Sequence, residues 1–199
     1  MTMDLRRDKV VVVDVEATCW RGRAPAGQQS EIIEIGICLL DMETYQPSTG
    51  HSILVRPEHS LISPFCTRLT GLTQEQLLAE GISFAEALER MRRDYLTDQR
   101  VWASWGDYDR HMFERQCAQR GLPYPFSEQH VNVKVLFRNL NRLRRGIGVE
   151  QALEHIDQTF EGRPHRGRDD AYNIARLLAH LLAQHGPDVL RLAWEKRIS

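Results

Sequence analysis

The sequence lacks any apolar run that approaches the roughly 20 residues needed to cross a bilayer. The charged segment from Met1 to Lys9 also lacks the apolar stretch that a signal peptide requires. Because both features are missing, we expect a protein of the cytoplasm that does not enter a membrane.

Cysteine is scarce, and the few cysteines are widely spaced. The 199 residues contain four of them, Cys19, Cys38, Cys66 and Cys117, and no two form a CxxC pair. This spacing argues against a zinc ribbon and against a thioredoxin-like redox site. Free thiols in a reducing compartment are the simpler interpretation.

The chain has no excess of charge of either sign. Lys and Arg number 26, Asp and Glu number 27, and the formal net charge is −1. Such a protein will not bind polyanions through its overall charge, so any nucleic-acid binding must depend on a local patch or a metal. The sequence contains no internal repeat, low-complexity tract or long linker, and we expect one domain over residues 1–199.

Residues in the first third of the chain predict three strands. Residues 10–15 are β-branched and apolar, 31–40 alternate, and 51–57 end at Pro57. The loop at 21–30 and the turn at 41–44 separate them, which favours an antiparallel meander. In the second strand the apolar face comprises Ile33, Ile35, Ile37 and Leu39.

Helical periodicity dominates the rest of the chain. Residues 84–95, 107–120, 149–160 and 170–184 predict helices, and 99–104 predict a strand. Residues 130–135 fit either a strand or the start of a helix. This order predicts an α/β fold with a five-stranded mixed sheet flanked by helices.

Two acids stand at the end of the first strand. Asp14 and Glu16 share a face with Val12, because residues two apart in a strand point the same way. Adjacent carboxylates repel each other and are costly to desolvate. They indicate either a functional site or a strand end frayed into solvent.

Helical spacing distinguishes the inward acid from its neighbour in two of the predicted helices. Asp109 falls on the stripe of Met112 and Phe113, whereas Asp107 fits an N-cap. Alternatively, both acids merely favour the positive end of the helix.

The last helix offers a similar choice. Asp170 lies on the apolar stripe with Ile174 and Leu177, whereas Asp169 lies on a polar face and is a plausible cap. His165 precedes them in an irregular loop rich in Gly, Pro and Arg. A lone histidine is more often structural than functional, but its neighbours here are acids.

Four inward acids make a poor core but a good site for hard cations. Mg²⁺ and Mn²⁺ prefer oxygen ligands, and two such ions roughly 3.5–4 Å apart can clamp a phosphodiester during hydrolysis. A histidine beside them can accept a proton from water at neutral pH. We therefore predict two ions per site.

Three motifs in order resemble those of the DEDDh family of 3′-to-5′ exonucleases, whose fold is ribonuclease H-like. DVE at 14–16, WGDYD at 105–109 and HRGRDD at 165–170 correspond to its three motifs. The resemblance implies a catalytic set of Asp14, Glu16, Asp109, His165 and Asp170, with the four acids holding the metal ions. It selects Asp170 over Asp169, in agreement with the helical spacing.

A narrower resemblance covers most of the chain. EATCW, SEIIEIG, FCTRLTGLT and GRPHRGRDDAYNIARL are similar to the branch that holds the histone-mRNA and small-RNA 3′ exonucleases and the bacterial KapD-like proteins. It implies that single-stranded 3′ ends are the substrate, RNA somewhat favoured over DNA, and that nucleoside 5′-monophosphates are the product. The implied substrate-binding residues are Thr18, Trp20, Thr70, Gly71, Leu72, Tyr108 and Arg110. Leu72 is expected to wedge against a base, and Tyr108 and Arg110 to flank the sugar.

Several alternatives stay open at this point. The arginines at 138–145 and around His165 either steer a phosphate backbone or form a solvated face. The protein is either a monomer or a homodimer. A non-catalytic nucleic-acid-binding protein on the same scaffold is the alternative function, although none of the catalytic set is missing.

Overall fold

The structure is a computed structural model that describes residues 5–191. Residues 1–4 of the charged N-terminal segment, and residues 192–199, lie outside this description. Five strands form one sheet in the order β3-β2-β1-β4-β5. Their bounds are Arg6–Ala17 for β1, Ile32–Asp41 for β2, His51–Leu54 for β3, Arg100–Ser104 for β4 and His130–Asn132 for β5.

The sheet is mixed, as the sequence predicts. β1, β2 and β3 pair antiparallel, and β4 pairs parallel with both β1 and β5. Seven helices accompany the strands within residues 5–191. They are α1 (Pro64–Thr70), α2 (Gln74–Glu80), α3 (Phe84–Tyr95), α4 (Tyr108–Arg120), α5 (Val133–Leu140), α6 (Val149–His155) and α7 (Gly167–His185).

The central strand β1 separates two hydrophobic layers. Val11, Val13 and Val15 pack against residues of α3 and α4 in what we call the α3 core. Val10 and Val12 face the other way and pack against α5, α6 and α7 in the α7 core. Because side chains alternate along a strand, Asp14 and Glu16 lie on the α7 side of the sheet.

Most of the predicted elements are present, with shifted ends. β1 is longer than residues 10–15 because its polar start at Arg6 pairs with β4, and Asp8 forms a 2.6 Å ion pair with Arg100. β3 ends at Leu54 rather than at 57. α6 ends at His155 because Asp157 adopts a left-handed conformation (φ 56°) that a helix cannot continue through.

Residues 130–135 proved to be both a strand and a helix start. β5 ends at Asn132, whose side chain accepts the N–H of Val135 and so caps α5. The chain therefore changes from strand to helix without a loop. The predicted helix at 170–184 begins three residues earlier, at Gly167.

Helices α1 and α2 were not predicted, although the sequence carries their signals. Ser63 caps α1 through the N–H of Cys66 and is followed by Pro64 in the first turn. Thr73 caps α2 through the N–H of Gln76. A capping residue followed by proline, or by Gln three residues on, marks a helix start even where apolar periodicity is short.

The strand face predicted for Ile33 was wrong. Ile33 lies with Cys66, Leu72 and Leu77 rather than in the α3 core with Ile35, because the β1–β2 register shifts after Glu16. A bulge of this kind turns the next side chain to another face.

Of the two predicted caps, Asp107 has the predicted position but no capping hydrogen bond, and Asp169 does not have the N-cap position. Asp107 occupies the N-cap position of α4 but makes no capping bond. Its carboxylate accepts the side-chain N–H of Asn132 and pairs with Arg110. Asp169 lies inside the first turn of α7 and accepts the backbone N–H of Arg163.

No helix within residues 5–191 is long and apolar enough to span a bilayer. The four cysteines form no disulfide in the described chain.

Candidate active site

The site begins with four positions on the α7 side of the sheet. Asp14 pairs with Gly36 across the β1–β2 ladder, and Glu16 pairs with Glu34. Residues directly opposite in an antiparallel pair lie side by side on the same face. Three of the four positions are acidic, and the fourth has no side chain.

Gly36 allows the start of α7 to rest directly on the sheet. A Cβ at Gly36 would overlap the backbone of Gly167, and a Cβ at Gly167 would lie 3.2 Å from the carbonyl oxygen of Asp14. At Gly36 only a glycine permits so close an approach of the two backbones. The contact places the first turn of α7 over Asp14.

Glu34 of β2 holds the start of α7 against the sheet. Its side chain is fully buried, and one carboxylate oxygen accepts the N–H of Gly167 at 3.2 Å. The same oxygen lies 3.4 Å from the Nε of Arg166, and the other oxygen accepts the hydroxyl of Ser52 at 2.6 Å. Glu34 therefore joins β2, β3 and α7.

The helix brings Asp170 to the acids of β1. One ligand oxygen from each of Asp14, Glu16 and Asp170 lies within 4.8 Å of the others. The oxygen Oδ2 of Asp170 accepts the backbone N–H of Arg166 at 3.0 Å, which orients the carboxylate. Asp169 does not belong to this group.

Asp109 lies beside the group of three rather than within it. Its side chain is 3% exposed, and Oδ1 accepts the backbone N–H of Val15 at 2.9 Å. Its negative charge is close enough to raise the pKa of both Asp14 and Glu16. The sequence predicts that four carboxylates converge. Three of them do, and Asp109 is instead bound to the backbone of Val15, which lies between Asp14 and Glu16.

Burial and mutual repulsion favour protonated acids in this site. Burial, followed by the charges of Asp109 and Asp170, raises the pKa of Asp14 well above its usual range. Burial and the charge of Asp170 raise the pKa of Glu16 to about 8. Burial also raises the pKa of Asp109 and of Asp170 to about 7, against the opposing effect of their backbone hydrogen bonds. A positive ion would relieve this repulsion.

His165 stands at the edge of the site. It occupies the turn before α7 in a left-handed conformation (φ 62°), and its side chain is exposed. The backbone N–H of Arg166 donates to Oδ2 of Asp170 at 3.0 Å, and the backbone of His165 is close enough to lower the pKa of that acid. The turn that carries His165 is therefore held close to one of the three grouped acids.

Tyr108 and Arg110 lie in different surroundings, although both were predicted to flank the sugar. Tyr108 is 56% exposed, hydrogen-bonds to Ser30, and is close enough to Glu16 and Asp109 to be affected by their charges. Arg110 instead pairs with Asp107 at 3.1 Å and with Glu114 at 3.7 Å. It lines a separate cavity of about 280 Å³ beside Trp102.

Thr18 and Trp20 follow the first acids along the chain. Thr18 is fully buried, and its hydroxyl donates to the carbonyl of Gln29 and accepts the N–H of Glu31. It holds the two ends of the 18–31 loop together. Trp20 is half-buried in that loop.

The predicted nucleotide-pocket residues at 70–72 end helix α1. The Thr70 hydroxyl accepts the N–H of Leu72, and Leu72 is fully buried in the cluster with Ile33. Leu72 is therefore not placed to wedge against a base. Gly71 adopts φ 77° and lies under the guanidinium of Arg163, which also contacts the carbonyl oxygens of residues 68 and 69.

Glu34, Gly36 and Gly167 also belong to the site, although none of them was predicted from the sequence. The charge of Glu34 interrupts an apolar strand, and that interruption is the signal that was available. The two glycines carry no comparable signal, because their contact joins residues more than 130 positions apart.

The donor set fits a hard divalent cation. The converging ligand atoms are carboxylate oxygens, with no thiol or imidazole among the three. Oxygen-only sites with several carboxylates suit Mg²⁺ and Mn²⁺ rather than Zn²⁺.

Solved structures that resemble this fold include a nuclease. The chain is 30% identical to the nuclease domain of 3′hExo, a DEDDh family member solved with bound rAMP. That match has a TM-score of 0.80 and covers 89% of this chain and 93% of the other. The ribonuclease H-like fold predicted from the sequence is thereby confirmed.

Relatives are also found by sequence. The chain is 30% identical over 191 residues to 3′-5′ exoribonuclease 1 of Rattus norvegicus, and this match covers 90% of the chain and 54% of the rat protein. It is 27% identical over 195 residues to the 3′-5′ exonuclease Snipper of Drosophila melanogaster, and this match covers 87% of the chain and 69% of the fly protein. The chain thus spans about half the length of the rat relative.

A family model described as exonuclease matches residues 11–178. This span contains all five residues of the predicted catalytic set. The resemblance to the 3′-to-5′ exonucleases is confirmed, and the chain belongs to the exonuclease family RNase_T.

Proposed function

We propose that this chain hydrolyses single-stranded nucleic acid from its 3′ end and releases nucleoside 5′-monophosphates, with RNA preferred over DNA. The observation that carries the proposal is the convergence of Asp14, Glu16 and Asp170 within 4.8 Å. The names of the relatives support the polarity and the RNA preference, since the rat protein is a 3′-5′ exoribonuclease. Residues 1–199 would form one exonuclease domain, and a cytoplasmic location stays a prediction.

Asp14, Glu16, Asp109 and Asp170 would hold two Mg²⁺ or Mn²⁺ ions. Such ions, when bound, lower the pKa of water and stabilise the leaving oxygen of a phosphodiester. The raised pKa values of the acids support this assignment, because neighbouring carboxylates that repel one another gain most from a cation. Asp109 would join the set by turning one oxygen toward Asp14 while Val15 retains the other.

His165 would act as the general base. Its exposed imidazole stands in a turn whose backbone is hydrogen-bonded to Asp170, so the ring is attached next to a metal-binding acid. In this role the imidazole accepts one proton from the attacking water. A general base must lie within hydrogen-bond reach of the proton that it accepts, and the attachment of the turn beside Asp170 supports this role.

The terminal nucleotide would lie between the segments at residues 18–20, 70–72 and 108. Trp20 and Tyr108 supply accessible aromatic surface, on which a base or sugar can stack. Thr18, Thr70 and Leu72 are buried and would shape the pocket through the backbone they hold. Arg110 is engaged by Asp107 and Glu114, so its contacts do not favour a role at the sugar.

Digestion of matched oligonucleotides tests the proposal. RNA and DNA of one sequence, labelled at the 5′ end, are incubated with the protein and Mn²⁺. We expect a ladder that shortens by single nucleotides, faster on RNA, with 5′-monophosphates as product. Asp14→Asn should reduce the rate at least about a hundredfold. Asp169→Asn is the matched control and should keep the rate. A protein that leaves both substrates intact with every divalent ion is not this enzyme.

A further inference from the structure

Cations are concentrated in one acid-free part of the chain. Between Glu128 and Glu150 the sequence contains no acidic residue. It contains five residues that are Lys or Arg. We call these five the basic surface: Lys134, Arg138, Arg142, Arg144 and Arg145. In a chain whose net charge is −1, this is a strong local departure from the average.

The cations of the basic surface are not neutralised by described neighbours. Arg142, Arg144 and Arg145 are exposed, and none of the five forms an ion pair with any residue from 5 to 191. Arg138 bonds only to the neutral amide oxygen of Asn139. By contrast, Arg90 and Arg93 of α3 each pair with a carboxylate.

The segment that carries the basic surface is firmly attached. Trp105 donates its Nε1–H to the carbonyl oxygen of Ile147 at 3.1 Å, and its ring lies 6.0 Å from that of Phe137. Leu143 and Ile147 pack against the α7 core. The arginines between them therefore project from an anchored loop, which lowers the entropy cost of binding.

The basic surface lies on the same side of the sheet as the candidate active site. Val12, which shares its face with Asp14, belongs to the same core as Leu136 and Phe137 of α5. Trp105, which holds the loop, comes directly after β4 and four residues before Asp109. A strand that leaves the acidic site along this side of the sheet would meet the arginines.

We propose that the basic surface binds the sugar-phosphate backbone of the single strand upstream of the 3′ end that occupies the active site. This rests on the proposed function for its substrate class. Arginine suits the role because its planar guanidinium forms two parallel bonds to a phosphate. A chain without an excess of positive charge can bind a polyanion in this way, because the few phosphate contacts are grouped in one place.

The test compares two triple substitutions that remove the same charge. One replaces Arg142, Arg144 and Arg145 with Gln. The matched control replaces Arg90, Arg92 and Arg93 of α3, on the opposite side of the sheet, with Gln. Binding of fluorescent RNA 20-mers and 4-mers is followed by anisotropy in EDTA over a salt series, so that binding is measured without cleavage.

We expect the first triple variant to lower the slope of log K against log salt by about 2, since each single-strand phosphate contact contributes roughly 0.7. Its preference for the 20-mer over the 4-mer should fall about tenfold, whereas the control keeps the slope and preference of the unaltered protein. Equal slopes in all three proteins would overturn the proposal.

Digestion by the same three proteins separates this inference from the proposed function. If the first triple variant loses slope as expected but the unaltered protein digests nothing, the basic surface stands and the exonuclease proposal falls. If the unaltered protein digests RNA but the first triple variant keeps its full preference for the 20-mer, the exonuclease proposal stands and the basic surface falls. Circular dichroism melting of each variant checks that the fold is retained.

Discussion

The carboxylate of Glu34 accepts the backbone N–H of Gly167 at 3.2 Å and so joins strand β2 to the first turn of α7. The three acids that converge lie on elements next to this bond. Asp14 and Glu16 lie on β1, which pairs with β2, and Asp170 lies on α7. A buried carboxylate that contacts no solvent thus sets the relative position of the acids around it.

Replacing Glu34 separates its structural contribution from its charge. Glu34→Ala should lower the free energy of unfolding by about 2–3 kcal/mol, because it leaves Arg166 without its carboxylate and Gly167 without its acceptor. Glu34→Gln keeps an acceptor and should cost about 1 kcal/mol. Urea denaturation at pH 6, where the neighbouring acids are largely protonated, measures both. Equal losses in the two variants would mean that the hydrogen bond is unimportant.

The acids of the site should destabilise the metal-free protein. Asp170→Asn removes one charge from the group and should raise the metal-free melting temperature at pH 8 by several degrees, since about 1 kcal/mol corresponds to roughly 2–4 °C in a chain of this size. The stabilisation given by millimolar Mn²⁺ should largely disappear. Asp169→Asn, one residue away but outside the group, should keep the Mn²⁺ effect and raise the metal-free melting temperature less, because its charge only adds to the repulsion at Asp170. A lower metal-free melting temperature in Asp170→Asn would contradict the repulsion.

Stability of the metal-free protein should fall as pH rises from 5 to 8. The folded protein holds protons at Glu16 up to a pKa of about 8, and at Asp109 and Asp170 up to about 7. Unfolded acids release them near a pKa of about 4, so unfolding releases protons in this window and becomes easier as pH rises. Thermal melts in EDTA across this range check the sign. Mn²⁺ should stabilise more at pH 8 than at pH 6, because ions compete with protons for the same oxygens.

The close contact of Gly36 with Gly167 should tolerate no side chain. Gly36→Ala forces a Cβ into backbone atoms that cannot rotate away, and we expect a loss of at least about 3 kcal/mol. Gly148→Ala is the control, because a Cβ there meets nothing within 4 Å and the backbone has an ordinary φ of −72°. Urea denaturation compares the two variants. A stable Gly36→Ala protein would show that α7 can lift off the sheet at little cost.

His165→Ala should separate catalysis from metal binding. Loss of a general base costs about 10²–10⁴-fold in rate, while the stabilisation by Mn²⁺ should persist because the acids are unchanged. His59→Ala, another exposed histidine, should leave the rate as it is. Single-turnover digestion and melting curves on the same samples provide both readings. A loss of the Mn²⁺ effect in His165→Ala would instead make the histidine part of the metal site.

Alternation and helical spacing predicted the inward acids because both signals are local. Asp14 and Glu16 follow the valines of a single strand, and Asp170 lies one turn before Ile174. Alternation failed at Ile33, where a register shift intervened. The expectation for Leu72 came from the family resemblance instead, and its burial depends on a distant cluster. Local patterns specify which face a residue occupies but not what covers that face.

Caps were predicted less well than faces. Asp107 and Asp169 have the right residue type near a helix start, but tertiary partners, Asn132 and the backbone of Arg163, take their carboxylates. Glu34 is also defined by distant partners. The sequence around it shows a charge inside an apolar strand, but its partners at residues 52, 166 and 167 cannot be predicted from that segment.

The glycine pair has a consequence for which ions the site can accept. Helix α7 cannot move closer to β2, because the backbones of Gly167 and Gly36 already touch, and withdrawal would break the hydrogen bond to Glu34. The main-chain spacing between the sheet and the helix that carries Asp170 is therefore fixed. An ion with longer bonds, such as Ca²⁺ at about 2.3–2.6 Å against roughly 2.0–2.1 Å for Mg²⁺, would have to be accommodated by rotation of the acidic side chains, because the main chain cannot widen the site.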